Sequence, residues 1–324
     1  MTSPSKESES KRDEIMQGQL YIDGHDAFEE YGVYIVDEGL NDLIAMPPLK
    51  TVVTNDWQEE DGVEADLLSP QLNTKDAQLK VAVRESYSSF VTMLSLLSDG
   101  AYHTFDFASI QRSYTLRLVS VTESSRVGDF AIMNIKLADD FPLKGYTYAP
   151  PVRTVAGDDG YTLDGTPLSE YGIRVLKGSL AEVAKAPDAK TNLLRNINVL
   201  SGAIYDPQTV TLKAKEVKLY GLMTAPDIAT LWRNWDALLY DLTRPNERTL
   251  YVSEIEQDFG MYYKSCRVTN FFPTDKIWLE FTLTLVFTNN LRLDDGVLLA
   301  TEDGGIVVTQ NADTAIDMKR TKTN

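Results

Sequence analysis

The chain has 324 residues, enough for two ordinary domains with separate cores. Hydrophobic residues at 43% and charged residues at 24% are proportions of a folded globular protein and exclude a disordered one. With 48 acidic against 31 basic residues the formal charge is −17, and Lys and Arg cluster only at Lys11-Arg12 and Lys319–Lys322, which excludes a protein that grips nucleic acid.

No apolar run approaches the ~18 residues of a membrane span. The polar opening Met1–Ser10 lacks the apolar core of a secretion signal, so the chain is expected to be made and kept in a cytosol until it assembles. The single cysteine, Cys266, excludes an intrachain disulfide and a thiolate metal site. Its alternation with Val268 predicts a small buried hydrophobe.

Taken in chain order, residues 1–16 are expected to be a disordered arm. A repeat then organises the chain. Glu30-Tyr31-Gly32-Val33-Tyr34-Ile35-Val36 recurs 140 residues later as Glu170-Tyr171-Gly172-Ile173-Arg174-Val175-Leu176. Without gaps the match runs on through Leu40/Leu180, Pro47/Pro187, Lys50/Lys190 and Thr51/Thr191, with 7 identities in the 22 positions from Glu30 to Thr51. An Asp-Gly pair precedes each copy, Asp23-Gly24 and Asp164-Gly165. Each predicts a tight turn whose glycine takes a positive φ. Tyr31 and Tyr171 are expected to begin the next strand and bury their rings, with a hydroxyl anchoring the turn.

Downstream the pattern repeats in type. Leu79–Val83 and Val217–Tyr220 alternate like strands, and each precedes one amphipathic helix. In the first, Tyr87, Phe90, Met93, Leu94 and Leu97 fall at helical spacing, with Asp99-Gly100 as the stop. In the second, Ile228, Leu231, Trp232, Trp235, Leu238 and Leu239 form a stronger stripe. Thr224–Asp227 reads as its capping-box-like start, with Pro226 in the first turn, and Pro245 closes it. Strands follow: Tyr114–Leu118 and Met133–Leu137, then Cys266-Arg267-Val268 and Leu279–Phe287, the last with Glu280, Thr282 and Thr284 on the opposite face. Proline and glycine within Tyr146–Gly160 mark the join.

These elements predict a mainly β (α+β) chain of two tandem sandwich or barrel domains, each with one flanking helix, over 17–150 and 151–290. Residues 291–324 are expected to be a C-terminal extension, with a strand at Gly305–Val308. Neither histidine, His25 or His103, sits in a recognisable catalytic signature, and Gly-x-Ser-x-Gly elbows and phosphate loops are absent. The acidic pairs Asp37-Glu38, Glu59-Glu60-Asp61, Asp139-Asp140, Asp158-Asp159 and Asp294-Asp295 lack calcium-loop spacing and read as solvated turns. No catalytic, cofactor-binding or metal residue is expected, and the chain is not expected to be an enzyme.

At the repeated motifs the chain resembles the siphophage distal tail protein family and, more loosely, tail-tube and baseplate-hub proteins. Members open with a strand, an Asp-Gly turn and a short strand beginning Tyr-Gly or Phe-Gly. A proline-and-basic stretch then leads into a long β-hairpin and a flanking helix. Asp23-Gly24, Tyr31-Gly32 and Pro47–Lys50 match that opening, as do Asp164-Gly165, Tyr171-Gly172 and Pro187–Lys190, over about 120 residues twice. A typical member carries one such domain followed by a galectin-like sandwich, whereas this chain carries the tube-like domain twice.

The resemblance implies a structural ring component of a phage tail, virion-located after assembly in the host cytoplasm. Its partners would be other tail-tube, tape-measure and baseplate proteins, with DNA only passing through an acidic lumen. Tail tubes present six tube domains about the axis, so two per chain imply a trimer with pseudo-sixfold symmetry; a hexamer with two stacked rings is the alternative. Each helix would then sit on the outside, and strands such as Leu279–Phe287 would pair edge to edge between domains. Competing readings are a duplicated tail-tube protein, a carbohydrate-binding tandem sandwich in adhesion, which exposed aromatics on one face would favour, and an enzyme, which a cleft joining His103 to carboxylates would favour.

Overall fold

A computed structural model describes residues 16–36, 39–84, 87–127, 130–190, 195–196, 201–204, 211–273 and 276–288. The two terminal segments and the pairs Asp37-Glu38 and Asp294-Asp295 lie outside them, as does Gly305–Val308.

The first half contributes β1 (Leu20–Ile22), β2 (His25–Asp26), α1 (Ala27–Tyr31), β3 (Val33–Ile35), α2 (Asn41–Ile44), β4 (Thr54–Asn55), β5 (Glu64–Ala65), β6 (Lys75–Arg84), α3 (Tyr87–Leu97), β7 (His103–Phe107), β8 (Arg112–Val127) and β9 (Phe130–Asp139). The second half contributes β10 (Tyr161–Leu163), β11 (Thr166–Pro167), β12 (Ile173–Val175), α4 (Ser179–Ala184), β13 (Arg195–Asn196), β14 (Ala203–Ile204), β15 (Lys215–Ala225), α5 (Ile228–Leu242), β16 (Arg248–Val252), β17 (Gln257–Phe272) and β18 (Ile277–Phe287).

Each half folds its long strands into a seven-stranded antiparallel sheet, in the orders β2-β1-β7-β8-β9-β6-β3 and β11-β10-β16-β17-β18-β15-β12. The orders are the same element for element. So are the irregularities. Strand β8 slips register against β9 between Leu118 and Ser120 and between Glu123 and Ser125; β17 slips against β18 between Tyr263 and Ser265 and between Val268 and Asn270. Such bulges bend a strand, so two at matching places give both sheets the same curvature.

The 140-residue offset extends well past Thr51. Val33 pairs with Val83 and Ile173 with Met223; Leu49 bridges Leu72 and Ala189 bridges Leu212. Leu79 therefore corresponds to Leu219. Lys75 and Lys215 also coincide. Each turns its amine back onto the end of the preceding short helix, Lys75 donating to the Leu43 carbonyl and Lys215 to those of Val183 and Lys185. An amine donor at these carbonyls satisfies acceptors that the helix leaves open.

Alternation determines which side of each strand is buried. In β18, Leu279, Phe281, Leu283, Leu285 and Phe287 are buried while the residues between them are less so. Both of its edges are occupied, by β17 and β15, so β18 is a central strand and cannot pair with a neighbouring molecule as expected. The sheet edges are the short β2, β3, β11 and β12. Short edges of this kind limit unwanted strand addition.

The Asp-Gly pairs form two-residue hairpin turns between β1 and β2 and between β10 and β11, with Ile22 opposite His25 and Leu163 opposite Thr166. All four residues have positive φ: 51° and 85° at Asp23 and Gly24, 48° and 82° at Asp164 and Gly165. That is the primed turn whose twist matches a hairpin. Tyr31 and Tyr171 are buried, but they end short helices rather than begin strands. The reason is the following glycine. Gly32 and Gly172 adopt the left-handed conformation (φ 65° and 73°) and their N–H groups close the last helical turn. The Tyr171 hydroxyl donates to Asp241 at 2.6 Å, anchoring α5 rather than the turn.

Helix α5 begins at Asp227, whose side chain accepts from the Thr230 N–H at 2.7 Å. Thr224 remains within β15, and Pro226 precedes the cap instead of occupying the first turn.

Two glycine replacements separate conformational strain from crowding. A Cβ at Gly165 would meet nothing within 4 Å, so Gly165→Ala is expected to cost only the left-handed term of about 1–2 kcal/mol. At Gly172 a Cβ would approach the Thr154 hydroxyl and, at 2.9 Å, the Thr224 carbonyl, so Gly172→Ala should be clearly worse. Urea unfolding of both variants checks this; equal losses would remove the crowding argument.

Candidate functional site at the junction of the repeats

The junction is built from unlike surfaces of the two halves. The second half offers a face centred on α5. Trp232 donates its indole N–H to the Ile110 carbonyl at 2.7 Å, and Trp235 donates to the Ile44 carbonyl at 2.9 Å. The Trp235 ring also meets Phe281 of its own sheet edge-on, at 4.8 Å between centroids. Helix α5 is thus buried on two sides, against its own sheet and against the first half, and does not lie on the outside. Its residues Leu231, Trp232, Trp235, Leu238 and Leu239 explain why: the apolar stripe is wider than one contact needs.

The first half offers an edge. Its chain from Ile44 to Leu49 runs over β17, where the Tyr263 hydroxyl donates to the Pro47 carbonyl and the Leu49 N–H donates to the Lys264 carbonyl, both at 2.9 Å. The segment then extends as the β4–β5 hairpin and straps the second half. Gly62 and Val63 donate their N–H groups to the carbonyls of Leu212 (2.8 Å) and Thr288 (3.0 Å). Asp61 accepts the Leu212 N–H at 2.7 Å, so one member of that acidic run is structural rather than a solvated turn. Beneath the strap Lys190 is almost fully buried; its amine donates to the carbonyls of Trp57 (2.6 Å) and Glu60 (2.7 Å) and pairs with Asp56 at 2.6 Å. A buried ammonium with three oxygen partners is satisfied, as desolvation requires.

A polar cluster lies inside the junction. Arg112 pairs with Asp236 of α5 at 3.0 Å, and its guanidinium stacks 4.2 Å from the Trp232 ring centroid. Tyr114 donates to the same Leu43 carbonyl as Lys75, at 2.9 Å. Burial, with the nearby Arg112 charge added, pulls the Lys75 amine down to about 7. Burial also raises Asp139, although Lys75 and Arg112 oppose the shift, and raises the Asp236 carboxyl against Arg112. Burial pushes the Cys266 thiol up to about 12, which keeps it protonated and unreactive. Asp140 instead accepts from Arg117, Tyr102 and Thr74, and the Arg117 bond leads in holding it near 2.

Each repeated turn closes the hairpin at one edge of its sheet. Asp23 accepts the Thr104 N–H and Asp164 the Thr249 N–H, at 2.8 and 2.9 Å. The cation beside each carboxylate differs: His103 pairs with Asp23 at 2.7 Å, Arg248 with Asp164 at 2.9 Å. His103 also meets Asp99 at 3.2 Å. Burial disfavours the charged His103 ring, but bonds to Asp23 and then Asp99 outweigh it and raise its pKa. His25 lies apart, exposed and paired with Glu30. The candidate residues are thus divided between two turns and two helix stops and do not converge on one cleft. Asp159, in another acidic pair, binds Arg174 and the Val175 N–H.

Among the described residues, no cluster of three or more His, Cys, Asp or Glu is arranged to hold a metal. An open groove of about 1030 Å³ lies on the second half between Val152–Thr154, Leu176, Leu222 and Trp278. Next to it Phe272 and Trp278 stack at 4.2 Å. No helix among the described residues is long and apolar enough to cross a membrane.

No family model and no curated protein matches this chain. Among solved structures it is similar to the SPP1 Dit (gp 19.1) protein, described as a paradigm of the hub adsorption apparatus in phages infecting Gram-positive hosts. The match covers 83% of this chain and 98% of that one, at 12% identity and a TM-score of 0.31.

Removing the guanidinium in Arg112→Ala strands Asp236 in the junction and is expected to cost about 3 kcal/mol. Adding Asp236→Asn should recover part of that loss. A double-mutant cycle by urea unfolding reads the coupling, and strict additivity would show that the pair does not act as one unit.

Because the His103 pKa is raised, its stabilisation is full below the unfolded value of about 6.5 and is lost as pH rises through the folded value. Wild type should therefore exceed His103→Gln in Tm most clearly at about pH 6, with the gap narrowing by about pH 9. A gap constant over that range contradicts the ion-pair account.

Proposed function

We propose that this chain is a non-enzymatic structural component of a phage-type tail, a distal tail or hub protein that closes into a ring around the channel DNA passes through. The observation that carries this reading is the form of the junction. Two units of one fold meet through different surfaces, an edge of the first against a face of the second. Such a heterologous contact does not satisfy itself. It leaves one face and one edge over, and repeated addition gives either a closed ring or an open filament. The duplicated Asp-Gly and Tyr-Gly openings and the resemblance they support favour the ring.

Six units need three chains, so the expected species is a trimer with pseudo-sixfold symmetry; six chains in two stacked rings are the alternative. The −17 charge suits a lumen that DNA passes without adhering. The other components it would meet are tail-tube, tape-measure and baseplate proteins, and its place is the virion tail after assembly in the host cytoplasm. A tail-tube protein with a duplicated domain shares this geometry and differs in stacking many rings rather than one.

A carbohydrate-binding reading has one observation behind it, the Phe272–Trp278 pair beside the groove. The rings already stack on each other, leaving fewer free faces for a sugar, so this reading ranks second.

Native mass measurement with negative-stain imaging tests the proposal. Annular particles of three chains are expected. A protein that is monomeric at all concentrations and inside its native particle would overturn it.

A further inference from the structure

The junction within the chain uses one edge and one face, and the chain holds two of each. The unused edge belongs to the second half. Ala184, Lys185, Ala186, Asp188 and Ala189 are exposed there, while their counterparts Ile44, Met46 and Pro47 are buried under the second half. The unused face belongs to the first half. Lys50 is exposed where Lys190 is buried. Val119, in the bulge that corresponds to Lys264, is 42% exposed, as is Val91 on α3.

The two helices superimpose in register at their C-terminal ends. Ser98 donates to the Leu94 carbonyl as Thr243 does to that of Leu239, which sets Val91 at the position of Asp236. Helix α5 has 15 residues and α3 has 11, a difference of about one turn, so the stripe that meets the first half in α5 corresponds to the Val91–Leu94 stripe in α3.

We infer that the unused edge and the unused face meet between copies. The Ala184–Ala189 edge of one copy docks on the α3 face and Val119 bulge of another, with the Ala189 N–H donating to the Val119 carbonyl as Leu49 donates to Lys264. This rests on the ring-forming reading and gives it its contact surface. The sequences fit the two situations. Ile-Ala-Met-Pro-Pro-Leu at 44–49 never leaves its partner and is apolar throughout. Ala-Lys-Ala-Pro-Asp-Ala at 184–189 must face water until another copy arrives, and carries two charges. Two isolated exposed valines on one surface would need no explanation by themselves. Here Val91 falls on a position whose counterpart, Asp236, is largely covered in the other repeat, and Val119 on one whose counterpart, Lys264, gives its carbonyl to the Leu49 N–H while its side chain stays exposed.

The test is a double-cysteine variant of the full chain, Val119→Cys with Ala189→Cys, oxidised and run without reductant. Residues joined this way bring their Cα atoms to about 5–6 Å, within reach of a disulfide. The intrachain counterpart, Leu49→Cys with Lys264→Cys, is the positive control and should close without changing chain mass. Both variants are made in a Cys266→Ser background, so that only the introduced thiols can pair. The expected result is an interchain ladder ending at the number of copies in the ring. A second variant, Val91→Asp with Val119→Asp, should reduce the assembled mass to a single chain while leaving its Tm within a few degrees of wild type. Rings that form without the cross-link and survive the aspartates would overturn this inference while leaving the ring reading intact. A cross-linked species without rings would do the reverse. Neither rings nor cross-links would overturn both.

Discussion

The indoles of Trp232 and Trp235 donate to two carbonyls of the other repeat, those of Ile110 and Ile44, from a helix that also forms part of its own repeat's core. Each carbonyl ends a local structure, Ile110 a short 3-10 turn and Ile44 the helix α2. A helix end leaves acceptors open, and an indole N–H has no use except as a donor. The two indole N–H groups of α5 are therefore satisfied by bringing the two repeats together. The strap across Lys190, the Arg112–Asp236 pair and the buried Lys75 amine all depend on that approach.

The two repeats show how one fold adapts to being first or second. Register places Asp139 opposite Lys75 and Phe287 opposite Lys215. The first repeat buries its lysine within the junction, where Asp139 and Asp236 offset its charge. The second repeat's lysine lies over the Phe287 ring instead and reaches solvent more readily. At the turns the same divergence appears without a change of geometry, since His103 and Arg248 each hold an aspartate that already accepts a backbone N–H. What persists is the arrangement that fixes the backbone. What varies is the group that adjusts charge.

The proposed head-to-tail assembly would account for a polar edge and an apolar edge in one chain. An interface formed once during folding tolerates the composition of a core, whereas one that waits for assembly must remain soluble meanwhile. The contrast between residues 44–49 and 184–189 follows that rule.

Sequence alone determined the long strands, the larger helix of each repeat and their repetition in type, because these rest on local chemistry. Period-two alternation in Leu279–Phe287, the stripe in 228–239 and the positive φ demanded by Asp23-Gly24 and Asp164-Gly165 need no distant partner. The mainly β architecture with one larger helix per repeat followed from these. Tertiary structure decided where the elements lie. A tyrosine before glycine reads equally as the start of a strand or the end of a helical turn, and only the Gly32 and Gly172 conformations separate them. The stripe of α5 marked it as buried, but could not show that two sheets bury it. Lys75 and Lys215 were legible as a pair only by carrying the 140-residue offset past Thr51. Asp61 read as part of a solvated turn and Lys190 only as a repeated position, because their partners lie more than a hundred residues away and burial is a property of the folded chain.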